Sequence, residues 1–237
     1  MRTRALFSYV LIAAGVTVGL SACGSGGPES YSEATEAMTE RDLHDAMLRN
    51  KEVPGYAVGP VQRTEHANLP AWRTGDAKCA PLLDALGPGT LGAVRSAYVT
   101  VGSRTGGVQP MGLKLGTYDS DGARRAMDKL SGALGSCRTF DLTGPLNRAY
   151  RVSVELPSGP GSDTGTTYVL NAQPVDARNG PVRHEVHAVR TGSLTSVATV
   201  DDTLRALPGS PPVLGADQVK SILDRQVAKL KRPVDEI

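Results

Sequence analysis

The stretch AVRSAYVTVGSRTGGVQPMGLKLGTY, residues 93–118, followed by DSDGARRAMDKLSGALGSC, residues 119–137, decides the fold. Ala93 to Gly102 and Gln109 to Tyr118 both read as strands. In the second, Met111, Leu113, Leu115 and Thr117 fall on one face by alternation. Ser103-Arg104-Thr105-Gly106-Gly107 between them supplies the residues of a hairpin loop. Asp119 or Ser120 then caps a helix running to about Leu134, with Ala123, Met127, Leu130 and Leu134 at the spacing of one buried face. A strand pair feeding an amphipathic helix is the seed of an antiparallel sheet covered by helices.

Working outward, Thr39 to Leu48 places Leu43, Met47 and Leu48 at helical spacing behind a threonine cap, with Asp42 three residues on. Pro54-Gly55 stops that helix and Tyr56-Ala57-Val58 begins an extended segment. A short helix is predicted from Cys79 to Leu86, burying Leu82, Leu83 and Leu86, and Gly87-Pro88-Gly89 ends it. The second half carries four predicted strands: Arg148 to Leu156, Thr166 to Gln173, Arg183 to Arg190, and Ser193 to Val200. Tyr150, Val152, Val154 and Leu156 alternate cleanly, and Gly192-Ser193 makes a tight turn. Pro157 to Gly165 is a loop rich in glycine, proline and serine. A last helix from Ala216 to Leu230 presents Val219, Ile222, Leu223, Val227 and Leu230. The fold class that follows is α+β, a mainly antiparallel sheet packed by helices in one domain over 39–237.

The N-terminus is an address. Arg2 and Arg4 precede an uncharged run from Ala5 to Leu20, which ends in Leu20-Ser21-Ala22-Cys23. A basic start, an apolar stretch and small residues before a cut site make a secretory signal peptide, shorter than the roughly 20 apolar residues of a spanning helix. Leu-Ser-Ala-Cys resembles the lipobox of bacterial lipoproteins. That resemblance implies a diacylglyceryl group on the Cys23 sulfur, removal of residues 1–22, and anchoring at the extracytoplasmic face of the cell membrane. Residues 23–38, opening with Gly24-Ser25-Gly26-Gly27-Pro28, read as a flexible tether.

Arg2 and Arg4 are two of 26 lysines and arginines set against 24 acids, so without the signal segment the charges balance. The basic pI of the whole chain therefore gives no reason to expect a nucleic-acid partner. Lys229, Lys231 and Arg232 close the last helix, where cations suit the dipole better than a membrane patch would explain them. Beyond Cys23 two cysteines remain, Cys79 and Cys137. Outside the cytoplasm such a pair normally becomes a disulfide, while a metal pair or a catalytic thiol has no Cys-x-x-Cys or histidine cluster behind it.

Catalytic motifs are weak. Gly87-Pro88-Gly89-Thr90-Leu91-Gly92 matches G-x-G-x-x-G, but it lies between a helix and a strand, the reverse of a dinucleotide site, and reads as a turn. His184 and His187 lie three apart in a strand and point to opposite faces, which disfavours a shared metal. No G-x-S-x-G elbow or S-x-x-K is present, and Ser162 and Ser193 sit in turn-like surroundings. Asp201-Asp202 suits a turn cap better than a carboxylate pair. Trp72 reads as a lid on the core. No cofactor is expected.

Four features taken together, the lipobox, Val53-Pro54-Gly55-Tyr56, Lys78-Cys79-Ala80-Pro81-Leu82, and the helix after Tyr118 leading into Cys137-Arg138-Thr139-Phe140, resemble a group of actinobacterial lipoproteins. These are in turn similar to the extracellular sensor domain of mycobacterial receptor kinases. The likeness covers roughly residues 40–205. It implies a disulfide-stabilised module with a cleft that binds rather than reacts, although this chain lacks that domain's second cysteine pair. The expected function is a non-catalytic binding or sensor-like module, partnered with the membrane through its lipid and with a small-molecule or envelope ligand in an apolar concavity. The alternative is a cell-envelope hydrolase with dispersed catalytic residues, which would need His184 or His187 beside a serine.

Overall fold

The computed structural model describes residues 30–67, 69–157, 164–176, 180–202 and 211–233. The signal segment, Cys23 and the centre of the 157–165 loop lie outside them. Helix α1 (Glu40–Ala46) precedes the short strands β1 (Tyr56–Val58) and β2 (Gln62–Arg63). Next come α2 (Ala80–Asp84), β3 (Arg95–Ser103), β4 (Met111–Thr117) and α3 (Gly122–Ser136). The second half holds β5 (Thr139–Thr143), β6 (Ala149–Glu155), β7 (Gly165–Pro174), β8 (Val182–Thr191), β9 (Leu194–Asp201) and α4 (Ala216–Leu230).

All nine strands among the described residues join one antiparallel sheet, ordered β1-β3-β4-β9-β8-β7-β6-β5, with β2 also on β3. The order follows from α3. Its 15 residues span about 22 Å at ~1.5 Å each, close to the ~24 Å between β4 and β5 at about 4.8 Å per strand. The chain is thus carried to the far edge and walks back, strand by strand, until β9 pairs with β4. Helices cover both faces. Leu82, Leu83, Met127, Leu130 and Leu134 pack with Val152, Tyr168 and Val186 on one. Leu43, Val219, Ile222 and Leu230 pack with Val99, Leu113 and Ala198 on the other.

Cys79 at the start of α2 and Cys137 at the end of α3 form a disulfide with Cα atoms 5.7 Å apart. It staples the two helices of one face together, as the paired cysteines suggested. Thr39 caps α1, its Oγ1 accepting from Asp42 N.

Four expectations need correction. Strand β5 adds a fifth strand to the second half, because Phe140 and Leu142 alternate over only five residues and pack inward. Helix α3 begins after Asp121 rather than at Asp119 or Ser120, since Asp119 Oδ1 instead accepts from Ala37 N at 2.9 Å and Ser120 takes φ +51°. The expected tether to residue 38 overlaps packed chain, as Tyr31 and Met38 are buried and Ser30 bridges Pro233. Lys229 does stand in the last turn of α4, but it faces inward rather than serving the dipole from the surface: 2 % exposed, it donates to Met47 O at 2.8 Å and Glu52 Oε2 at 2.9 Å.

Gly192, at φ +60°, turns β8 into β9, and a methyl group there would overlap the Ser32 carbonyl. Gly192→Ala should therefore destabilise the domain by about 1–2 kcal/mol from the backbone alone, with a further loss as residues 30–38 are displaced. Gly132 in α3 has nothing within 4 Å of an added Cβ, so Gly132→Ala should stabilise by ~0.5–1 kcal/mol. Urea unfolding of the two variants checks the opposite signs.

Candidate functional site

His184 and His187 do face opposite sides of β8. His184 packs edge-on to Trp72, ring centroids 5.4 Å apart, on the α2–α3 side. Burial holds its imidazole below the ordinary histidine range, with Asp201, 3.9 Å away, pulling the other way. Trp72 also packs edge-on to Tyr150 at 6.0 Å, as a lid on the core would. Asp202 is buried and holds the Arg183 guanidinium at 2.9 Å.

His187, on the other side, links two neighbours. Its Nδ1 lies 3.0 Å from Thr167 Oγ1 and its Nε2 lies 2.8 Å from Glu185 Oε1. The hydrogen bond from His187 holds the Glu185 carboxyl below its usual range. The three residues stand in the order of hydroxyl, base and orienting carboxylate, with a threonine where a hydrolase reading asked for a serine. Thr167 and His187 are cross-strand partners on the sheet.

Sequence reasoning missed two buried lysines, and Lys114 explains the more about the fold. It is wholly buried on β4, opposite the Met111 face, and its Nζ donates to the carbonyls of Ala85 and of Gly87, the latter at 2.9 Å. Tyr168 Oη donates to Leu82 O and Tyr118 Oη to Thr90 O. Lys114 and Tyr168 thus supply donors from the sheet to carbonyls of the five-residue helix α2 and its exit, while Tyr118 adds a second donor to Thr90 O, which also accepts from Ala93 N. Residues 87–92 form the turn between α2 and β3, with positive φ at Thr90, Leu91 and Gly92.

Two surface concavities flank this frame. One of about 630 Å³, between α4 and residues 48–54, is lined by Lys51, Glu52, Asp217, Lys220, Asp224 and Arg225 among others. The other, about 540 Å³ beside β5 and β6, is lined by Arg73, Asp141, Thr143, Asn147, Tyr150 and Val175 among others. Both have mainly polar linings, so neither is the apolar concavity expected, and neither contains Thr167, Glu185 or His187. Among the described residues no three His, Cys, Asp or Glu side chains cluster to hold a metal ion, and no helix is long and apolar enough to cross a membrane.

The fold as a whole has a counterpart among solved structures. The fold resembles that of the extracellular domain of PknH from Mycobacterium tuberculosis. The superposition has a TM-score of 0.56 at 11% sequence identity and covers 83% of this chain and 98% of the PknH domain. At that identity the likeness is one of fold, in line with the resemblance to the extracellular domain of mycobacterial receptor kinases drawn from the sequence. No protein-family profile and no curated protein sequence matches the chain.

Proposed function

We propose that this chain is a non-catalytic, sensor-like binding module, held by lipid on Cys23 at the extracytoplasmic face of a membrane and recognising an envelope component. The observation that carries the reading is the near-complete coverage of the extracellular PknH domain by this fold. The disulfide supports an oxidising compartment, and the N-terminal Leu20-Ser21-Ala22-Cys23 supports the anchor.

Two measurements test the reading. Expressed in its native envelope, Cys23→Ala should give an unprocessed precursor or a released protein, whereas unchanged lipid labelling and processing would refute the anchor. The wild-type protein, recovered from envelope extract, should retain a specific envelope component detectable by mass spectrometry. Recovery with nothing bound, or turnover of envelope ester or glycan that Thr167→Val abolishes, would replace the binding reading with another.

A further inference from the structure

The two ends of the sheet are unlike. At one end the chain that leads to Cys23 enters: Ser30 bridges Pro233 after α4, and Ser32 lies against the Gly192 turn of β8 and β9. Strand β8 runs ten residues from Val182 to that turn, about 33 Å at ~3.3 Å per residue. At its other end β7 finishes at Pro174, paired with Tyr150 at the start of β6. Val175 follows, 72% exposed, its N donating to Ala149 O at 3.0 Å. Leu146, in the turn between β5 and β6, is 82% exposed.

Leu146 and Asn147 both hold positive φ, +60° and +56°, a conformation costing a non-glycine residue roughly 1–2 kcal/mol. The strained turn directs a leucine into solvent rather than into the core. Arg73, bridged to Thr143 through its backbone, and Arg148 stand at this end. Neither guanidinium has a carboxylate partner among the described residues, while Arg151 is paired with Asp141.

From Cys23 to Ser30 the chain is seven residues, a reach of at most about 25 Å at ~3.3–3.6 Å each. With the lipid anchor proposed above, that reach keeps the Ser30 and Gly192 end next to the bilayer and turns the Leu146 and Val175 end outward. We propose that this membrane-distal end is a docking surface for a protein partner that offers a large apolar side chain beside carboxylates. Leu146 and Val175 meet the apolar group and Arg73 and Arg148 meet the acids. Such a pairing joins an apolar anchor to charge complementarity that sets partner choice. The orientation rests on the anchor; the surface chemistry does not.

The test uses the full mature chain and short synthetic peptides carrying one leucine or phenylalanine flanked by aspartates, with lysine-flanked copies as controls. Acidic peptides should bind, more weakly as salt rises, and lysine copies should not. Leu146→Asp with Val175→Asp, both at exposed positions, should weaken binding at least about tenfold. Arg73→Glu with Arg148→Glu should do the same and invert the preference, while Lys220→Glu on α4 should change nothing. No binding by the wild type, equal binding of lysine copies, or binding unchanged by the Asp pair overturns the surface. A Cys23→Ala chain that still binds acidic peptides but is processed normally overturns the anchor and leaves the surface standing.

Discussion

Cys79→Ala should lower the unfolding free energy of the domain by about 2–5 kcal/mol, as loss of a native disulfide does in extracellular domains. The bond closes a 58-residue loop, worth roughly 4 kcal/mol of unfolded-chain entropy. The structure adds a local reason for a large effect. Helix α2 has five residues, too few to form alone in water, and Cys79 begins it. Without the bond its hold on the fold falls to Leu82, Leu83, Lys114 and Tyr168. Both sulfurs belong to buried residues, 1% and 3% exposed, so Cys137 alone leaves a buried thiol. Cys137→Ala and the double variant should therefore each lose about as much as Cys79→Ala, since one bond is removed in every case. Denaturant unfolding of the three variants measures this, and thiol titration of the native protein should find neither Cys79 nor Cys137 free. Two reactive thiols, or losses under ~1 kcal/mol, would refute a structural disulfide.

The same stapled face shows what could and could not be read from residues in order. Helix α4 was legible to its ends because its buried side chains recur over four turns, and β6 was legible because Tyr150, Val152 and Val154 alternate without exception. The pairing of Cys79 with Cys137 needed only their number and the compartment expected from the N-terminus. Strand β4 was half legible. Met111, Leu113 and Leu115 announced one buried face, but their alternation carried no sign that Gly112, Lys114 and Gly116 are buried as well. What makes Lys114 a core residue is the acceptor set of Ala85 and Gly87, and what buries Lys229 is Met47 and Glu52. A lysine's burial depends on acceptors that only the fold brings near. The candidate surface was illegible for the converse reason. Leu146 and Val175 are ordinary apolar letters, and only the sheet shows that they stand exposed at the end away from the anchor.

Lys114→Met should destabilise the domain more at pH 9.5 than at pH 7. Burial pushes the Lys114 ammonium down to about 7, with Asp84 opposing the shift. An unfolded lysine keeps its proton to about 10.4. Between these limits the unfolded chain binds more protons than the folded one, so the stability of the wild type rises with pH across that window. Each pH unit is worth up to ~1.4 kcal/mol per proton. Methionine has similar length and no proton, so it removes this slope and leaves the carbonyls of Ala85 and Gly87 without donors, at about 1–3 kcal/mol for each. Near pH 7 that loss is offset by relief from a buried charge; near pH 9.5 the wild-type amine is neutral, the relief is gone, and the full loss shows. Lys229, also held below its usual value by burial, adds slope to both proteins and cancels in the difference. Tyr118, raised to about 12 by burial, and Tyr168, raised further, oppose the trend only as unfolded tyrosines ionise near ~10, above the range used. Urea unfolding of both proteins from pH 7 to 9.5 gives the comparison. A difference that stays flat, or that shrinks as pH rises, would mean that Lys114 keeps its proton in the folded protein throughout.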